Sequence, residues 1–141
     1  MIQLKTLLKE NVISYSAIVL DQSSMVELSK TFEHLMPEGW EWVGHHITIK
    51  LGALDEVNKA FLGKPQTATV IQYGLSDKAF AVKVNVVQEI KNIMVGPSFP
   101  HVTLAVNRSG GGKPVDSNKI TKWTDCPLMD VTGTVKEIPK K

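Results

Sequence analysis

Two tripeptides of one design, His46-Ile47-Thr48 within GHHITIKLG and His101-Val102-Thr103 within FPHVTLAVN, constrain this chain more than any other feature. Each lies in a run of alternating apolar and polar residues, so each reads as a β-strand with its histidine and threonine on one face. In the first run His46, Thr48 and Lys50 project to one side, and Ile47, Ile49 and Leu51 to the other. In the second, His101 and Thr103 oppose Val102, Leu104 and Val106. A single His-x-Thr is expected by chance in roughly one chain in ten of this length. Two on predicted strands, each with an apolar face behind it, are expected on the order of once per hundred chains or more.

The residue types point to a particular chemistry. Imidazole gives or takes a proton near neutral pH. Threonine hydroxyls are neutral donors for phosphate oxygens. Two of each, brought together, make a metal-free site for phosphate ester chemistry, with His46, Thr48, His101 and Thr103 as the catalytic set and no cofactor. A zinc site is the weaker reading, because two histidines lack a clear third carboxylate or thiolate ligand. Two strand histidines in a structural core is the blandest reading; it leaves four polar side chains to be buried without partners, which is costly.

With 141 residues the chain is one domain's worth, 1–141, with a single core expected and no linker dividing it. At 43% hydrophobic and 21% charged residues, it contains no apolar stretch near the roughly 18 residues that span a bilayer. The opening MIQLKTLLKENVIS lacks the cationic, apolar and small-residue regions of a signal peptide. The lone Cys126 allows no internal disulfide. Together these predict a cytoplasmic protein with no membrane partner. A net charge of +2 is too small for long duplex nucleic acid and suits a small anionic ligand.

Strands are expected at Val12 to Leu20, Thr67 to Tyr73, Ala79 to Val87, Pro100 to Val106 and Asp130 to Ile138, besides the first motif strand. The spacing of Met25, Leu28, Phe32 and Leu35 predicts a helix over Ser23 to Met36, capped by Ser23 or Ser24 and stopped at Pro37-Glu38-Gly39. Short helices are expected over Asp55 to Leu62 and from Asp116 or Ser117 toward Trp123. This order implies an α+β domain: a concave, mainly antiparallel sheet with helices packed outside and the two motif strands lining a central cleft.

At these motifs the sequence resembles the 2H phosphoesterase superfamily, whose members carry two His-x-Thr or His-x-Ser motifs on strands of a bilobed α+β fold. The likeness is to the branch containing cyclic phosphodiesterase domains of tRNA ligases and the vertebrate 2′,3′-cyclic nucleotide 3′-phosphodiesterase. There the first motif commonly runs on to a lysine, as His46-Ile47-Thr48-Ile49-Lys50 does, and the second reads much like His101-Val102-Thr103-Leu104. Weaker likeness extends through Thr67 to Val86 and Lys113 to Asn118, and the connecting segments are short for a full second lobe. The resemblance implies a metal-independent phosphodiesterase. Its substrate would be a small nucleotide, an RNA end with a 2′,3′-cyclic phosphate, or a cyclic oligonucleotide. Phage enzymes that degrade cyclic oligonucleotide immune signals also resemble this superfamily, which would place such a chain in the host cytosol. A nucleotide-binding or sequestering module with the same cleft and no chemistry is the alternative.

Further side chains are candidates for substrate contact. Lys50 shares the His46 face and can meet phosphate as a point charge, or stand as an ordinary strand-end lysine. Trp42 and Phe99 precede the two motifs and offer base stacking, with core packing as the default for aromatics. Trp40, Tyr73 and Trp123 are further stacking candidates. Arg108 and Lys113 flank the Gly110-Gly111-Gly112 run, which either closes over phosphate or is plain surface loop. His45 should point away from His46, because successive strand residues alternate.

Overall fold

A computed structural model describes residues 12–140. The N-terminal MIQLKTLLKEN stretch of the leader reading lies outside them. The elements run β1 (Ile13–Leu20), α1 (Gln22–Phe32), β2 (Glu41–Trp42), β3 (His46–Leu51), β4 (Pro65–Leu75), β5 (Ala79–Asn85), α2 (Gln88–Ile93), β6 (His101–Val106) and β7 (Trp123–Pro139). Short 3-10 turns at Glu33–Leu35, Glu56–Phe61, Arg108–Gly110 and Pro114–Lys119 join them.

The strands form one antiparallel sheet in the order β2-β6-β3-β1-β7-β4-β5, and β5 pairs back onto β6. The sheet therefore closes into a six-stranded barrel with β2 as a short flange on β6. Closure removes the unpaired edges that an open sheet would expose. The α+β class and the antiparallel pairing expected from the sequence are present. The sheet expected to be concave closes on itself. The alternation read from the sequence sorts the wall into two faces. Ile18, Ile47, Ile49, Val82, Val102 and Leu104, each no more than 1% exposed, join one apolar cluster. At about 25 cal/mol per Å² of apolar surface removed from water, this interior is the main source of stability.

The helices serve the same interior. Leu28 and Phe32 of α1 and Ile90 of α2 belong to the barrel's cluster. Asp21, rather than Ser23 or Ser24, caps α1, accepting from the Ser24 backbone N–H at 3.0 Å and from the Ser23 and Thr132 hydroxyls. Those donors hold its carboxyl down at about 2. The helix ends at Phe32, and the following 3-10 turn leaves Leu35 exposed, so the helical spacing breaks one turn before Met36. The turn at Pro114–Lys119 starts before Asp116 and ends well short of Trp123, which opens β7. Among the described residues no helix is long and apolar enough to cross a membrane.

Candidate active site

The two motifs meet where β3 and β6 touch. Ile47 and Val102, the middle residues of the two tripeptides, are antiparallel partners. Both are fully buried in the core. Because neighbours along a strand point to opposite faces, His46, Thr48, His101 and Thr103 turn together to the face away from the core. Antiparallel pairing runs each histidine toward the other motif's threonine. All four side chains line one pocket of about 280 Å³.

The two motif strands line this pocket, which lies apart from the packed apolar cluster. The barrel's interior is packed with apolar side chains, and the histidines stand on its outer wall. Two loops make the concavity. Residues 95–97 are held against β3 by the Val95 N–H, which donates to the Ile49 carbonyl at 2.9 Å. The Pro114–Lys119 turn is tied down where the Ser117 and Thr103 hydroxyls meet at 2.8 Å. The loops are linked in turn by the Ser98 N–H, which donates to Asn118 Oδ1 at 2.8 Å. Tyr15, Leu51, Val95, Pro97, Val115 and Asn118 complete most of the lining, and among the described residues no lysine, arginine or carboxylate takes part in it. The floor is thus polar, the rim largely apolar, and the histidines are the lining's titratable cations.

The two imidazoles are held differently. His101 Nδ1 lies 2.9 Å from the Phe99 carbonyl oxygen, which can only accept, so the proton is on Nδ1 and Nε2 is left as acceptor when the ring is neutral. Burial lowers its pKa from 6.5, and the carbonyl opposes part of that shift. His46 is pushed down to about 4, first by burial and then by the neighbouring His45 and His101. Its ring packs against Tyr15 at a centroid distance of 5.1 Å and stacks on His45 at 4.5 Å.

His45 therefore does not point away from His46. Strand geometry begins only at His46, and the preceding Gly44 takes a φ of 50°, which folds His45 back beside its neighbour. The two Nδ1 atoms are in hydrogen-bond contact. One must donate and one accept, so the two rings hold opposite tautomers. Burial lowers the His45 pKa as well.

The threonines also differ. Thr48 is half-buried and makes no side-chain hydrogen bond among the described residues. Thr103 has Ser117 Oγ at 2.8 Å and the Pro114 carbonyl at 3.3 Å as partners, so its single proton already has protein acceptors. Fully buried Ser117 is a participant that sequence reasoning missed; only its place in the Lys113 to Asn118 stretch of likeness hinted at it.

The remaining candidates fall outside the pocket lining. Lys50, expected on the His46 face, is absent from the lining: a register shift in the β1–β3 pairing at Ser16/Ala17 breaks the alternation, so Leu51 faces the pocket instead, and Lys50 pairs with Asp55 at 3.2 Å. Arg108 pairs with Glu41 at 2.7 Å. Lys113 is exposed, and its backbone N–H donates to Asp116. Trp42, like Trp40 and Tyr73, packs against the core cluster. Phe99 stands edge-on to His101 at 5.3 Å and to Trp123 at 5.2 Å, beside the pocket. Cys126 is partly buried, and burial together with Asp125 raises its thiol pKa.

No family model matches the chain, and no curated protein matches its sequence.

Proposed function

We propose that the chain is a metal-independent phosphodiesterase acting on nucleotide phosphodiesters, either 2′,3′-cyclic phosphates at RNA ends or cyclic oligonucleotide signals, and working in the cytoplasm. One observation carries this reading: the Ile47–Val102 pairing, which gathers both histidines and both threonines at one pocket. It fits the resemblance to 2H phosphoesterases. His46, kept neutral by its surroundings, acts as general base through Nε2, with its Nδ1–H donated to His45. It takes a proton from water as the water oxygen bonds to phosphorus. The bond from phosphorus to the ribose oxygen breaks, and His101, entering the step as the imidazolium, delivers its Nε2 proton to that oxygen from the other side. Thr48 donates to a nonbridging oxygen, a bond that strengthens as charge develops. Thr103 supports the Pro114–Lys119 wall and donates only after leaving Pro114 or Ser117.

The test is incubation of purified protein, with chelator present, with 2′,3′-cyclic nucleotides and cyclic di- and trinucleotides, followed by chromatography and mass spectrometry. Addition of one water, lost in both His46→Ala and His101→Ala, is the expected result. Full turnover in both variants overturns the mechanism, and tightly bound but intact ligand after long incubation replaces it with sequestration.

A further inference from the structure

Beside His101 lies a cation that the proposed mechanism does not use. Lys83 interrupts the otherwise buried run of β5 and is the antiparallel partner of His101 on β6. Directly paired residues share a face, so Lys83 emerges on the pocket side of the wall. Its Nζ lies 4.9 Å from the centroid of Phe99 and 4.5 Å from that of Trp123. Phe99 in turn is edge-on to both His101 and Trp123. Trp123 is fixed at its far end, where Nε1 donates to the Ile120 carbonyl at 3.2 Å. It is seated over Gly74, where a Cβ would come within 2.7 Å of the indole ring. Nothing in this assembly neutralises the ammonium. Among the described residues Lys83 has no carboxylate partner, and its cross-strand partner on β4, Gln72, donates instead to Asp125 at 2.7 Å. Aromatic faces attract and orient a cation without cancelling its charge.

We propose that Lys83, held by Phe99 and Trp123, binds a second phosphate of the substrate, one nucleotide along the ribose-phosphate chain from the phosphate that sits between His46 and His101. The inference rests on the phosphodiesterase reading and deepens it. A pocket lined, among the described residues, without lysine or arginine suits one monoanionic diester, and Lys83 supplies the next charge outward on the His101 side. A mononucleotide 2′,3′-cyclic phosphate leaves this position empty. A cyclic dinucleotide or an oligonucleotide with an internal linkage fills it. The site is therefore matched to substrates with two or more phosphodiesters.

Binding separates this claim from the chemistry. Calorimetry with slowly hydrolysed phosphorothioate analogues of 3′,3′-cyclic diadenylate and of adenosine 2′,3′-cyclic phosphate compares wild type, Lys83→Met, Lys83→Gln and Lys83→Arg. Loss of one charge-assisted contact should weaken the dinucleotide about tenfold in the Met and Gln variants, with recovery in Arg. The slope of log affinity against log salt should fall by about 0.7 for that ligand. The mononucleotide should bind all four proteins within about twofold. Equal weakening of both ligands, or of neither, overturns the second phosphate position and leaves the phosphodiesterase reading standing. Failure of wild type to bind either analogue overturns both.

Discussion

Acid should loosen this fold through His46, by an amount the pocket sets. Its pKa is lowered from 6.5 to about 4 in the folded chain. Between those two values the unfolded chain takes up a proton that the folded chain refuses, so stability rises with pH across the window and is lost as pH falls through it. Below about 4 both states are protonated and the loss is complete. The full shift corresponds to about 3 kcal/mol at 1.36 kcal/mol per unit, and about 2 kcal/mol of it is spent between pH 7 and pH 4.5. That is a large share of the 5 to 15 kcal/mol typical of a domain. His45 and His101 are shifted in the same direction, so the wild type loses at least this much. In His46→Gln the proton is gone, and with it the repulsion that His46 would exert on its two neighbours. Urea unfolding at pH 7 and pH 4.5 should give a stability difference about 2 kcal/mol smaller in His46→Gln than in wild type, with unchanged denaturant slopes. If the variant loses as much stability on acidification as wild type, His46 is not held neutral by burial among the pocket groups, and its assignment as base fails with that argument.

Three other outcomes follow from the same geometry. Because His101 must carry a proton while its pKa lies below 6.5, and His46 is free of one above about 4, kcat/KM for the proposed hydrolysis should peak between those values. It should fall about tenfold per unit at higher pH in a pH–rate profile, and a rise through pH 8 would show that neither shifted histidine serves as the acid. His45→Phe keeps a ring against His46 but removes its Nδ1 partner; kcat should fall about tenfold with KM nearly unchanged, and long-range nitrogen NMR should show His46 in mixed tautomers. Thr103→Val strands the buried Ser117 hydroxyl and should cost about 1 to 3 kcal/mol in urea unfolding, whereas Thr103→Ser should cost less than half of that.

Alternation was enough to place the site's four side chains on two strand faces, because the period of two holds through both tripeptides; beyond Thr48 a register shift breaks it, and Leu51 rather than Lys50 reaches the pocket. It also located β1, the β4–β5 hairpin and β6 within a few residues of where they lie. Closure is a different kind of fact. That β5 meets β6, putting Val82 beside Val102, depends on the summed pairing and twist of six strands, which no local window contains. β7 shows the same override. Pro127 and Gly133 argue against a continuous strand, yet pairing with β4 from Trp123 onward and with β1 to Pro139 extends it to 17 residues. The six residues of α2 bury only Ile90, which is too little for a helical period to register.

At the site the legible and illegible parts divide along the same line. His46, Thr48, His101 and Thr103 announce themselves because each motif is local. Their partners come from register and from breaks in regular geometry. Lys83 reaches His101 only because β5 pairs with β6 in one register; a slip of one residue would put Val82 or Val84 on the wall and turn the lysine into the core. His45 reaches His46 only because strand geometry has not yet begun at residue 45. Ser117 reaches Thr103 from a turn with no alternation to read. Of the cations named from the sequence, Lys50 and Arg108 are paired with Asp55 and Glu41, and Lys113 is exposed outside the lining. A functional cation beside an uncharged pocket has to lack such a partner. Among lysines on the site's face of the wall, Lys83 meets that condition, held by aromatic rings that orient it without discharging it.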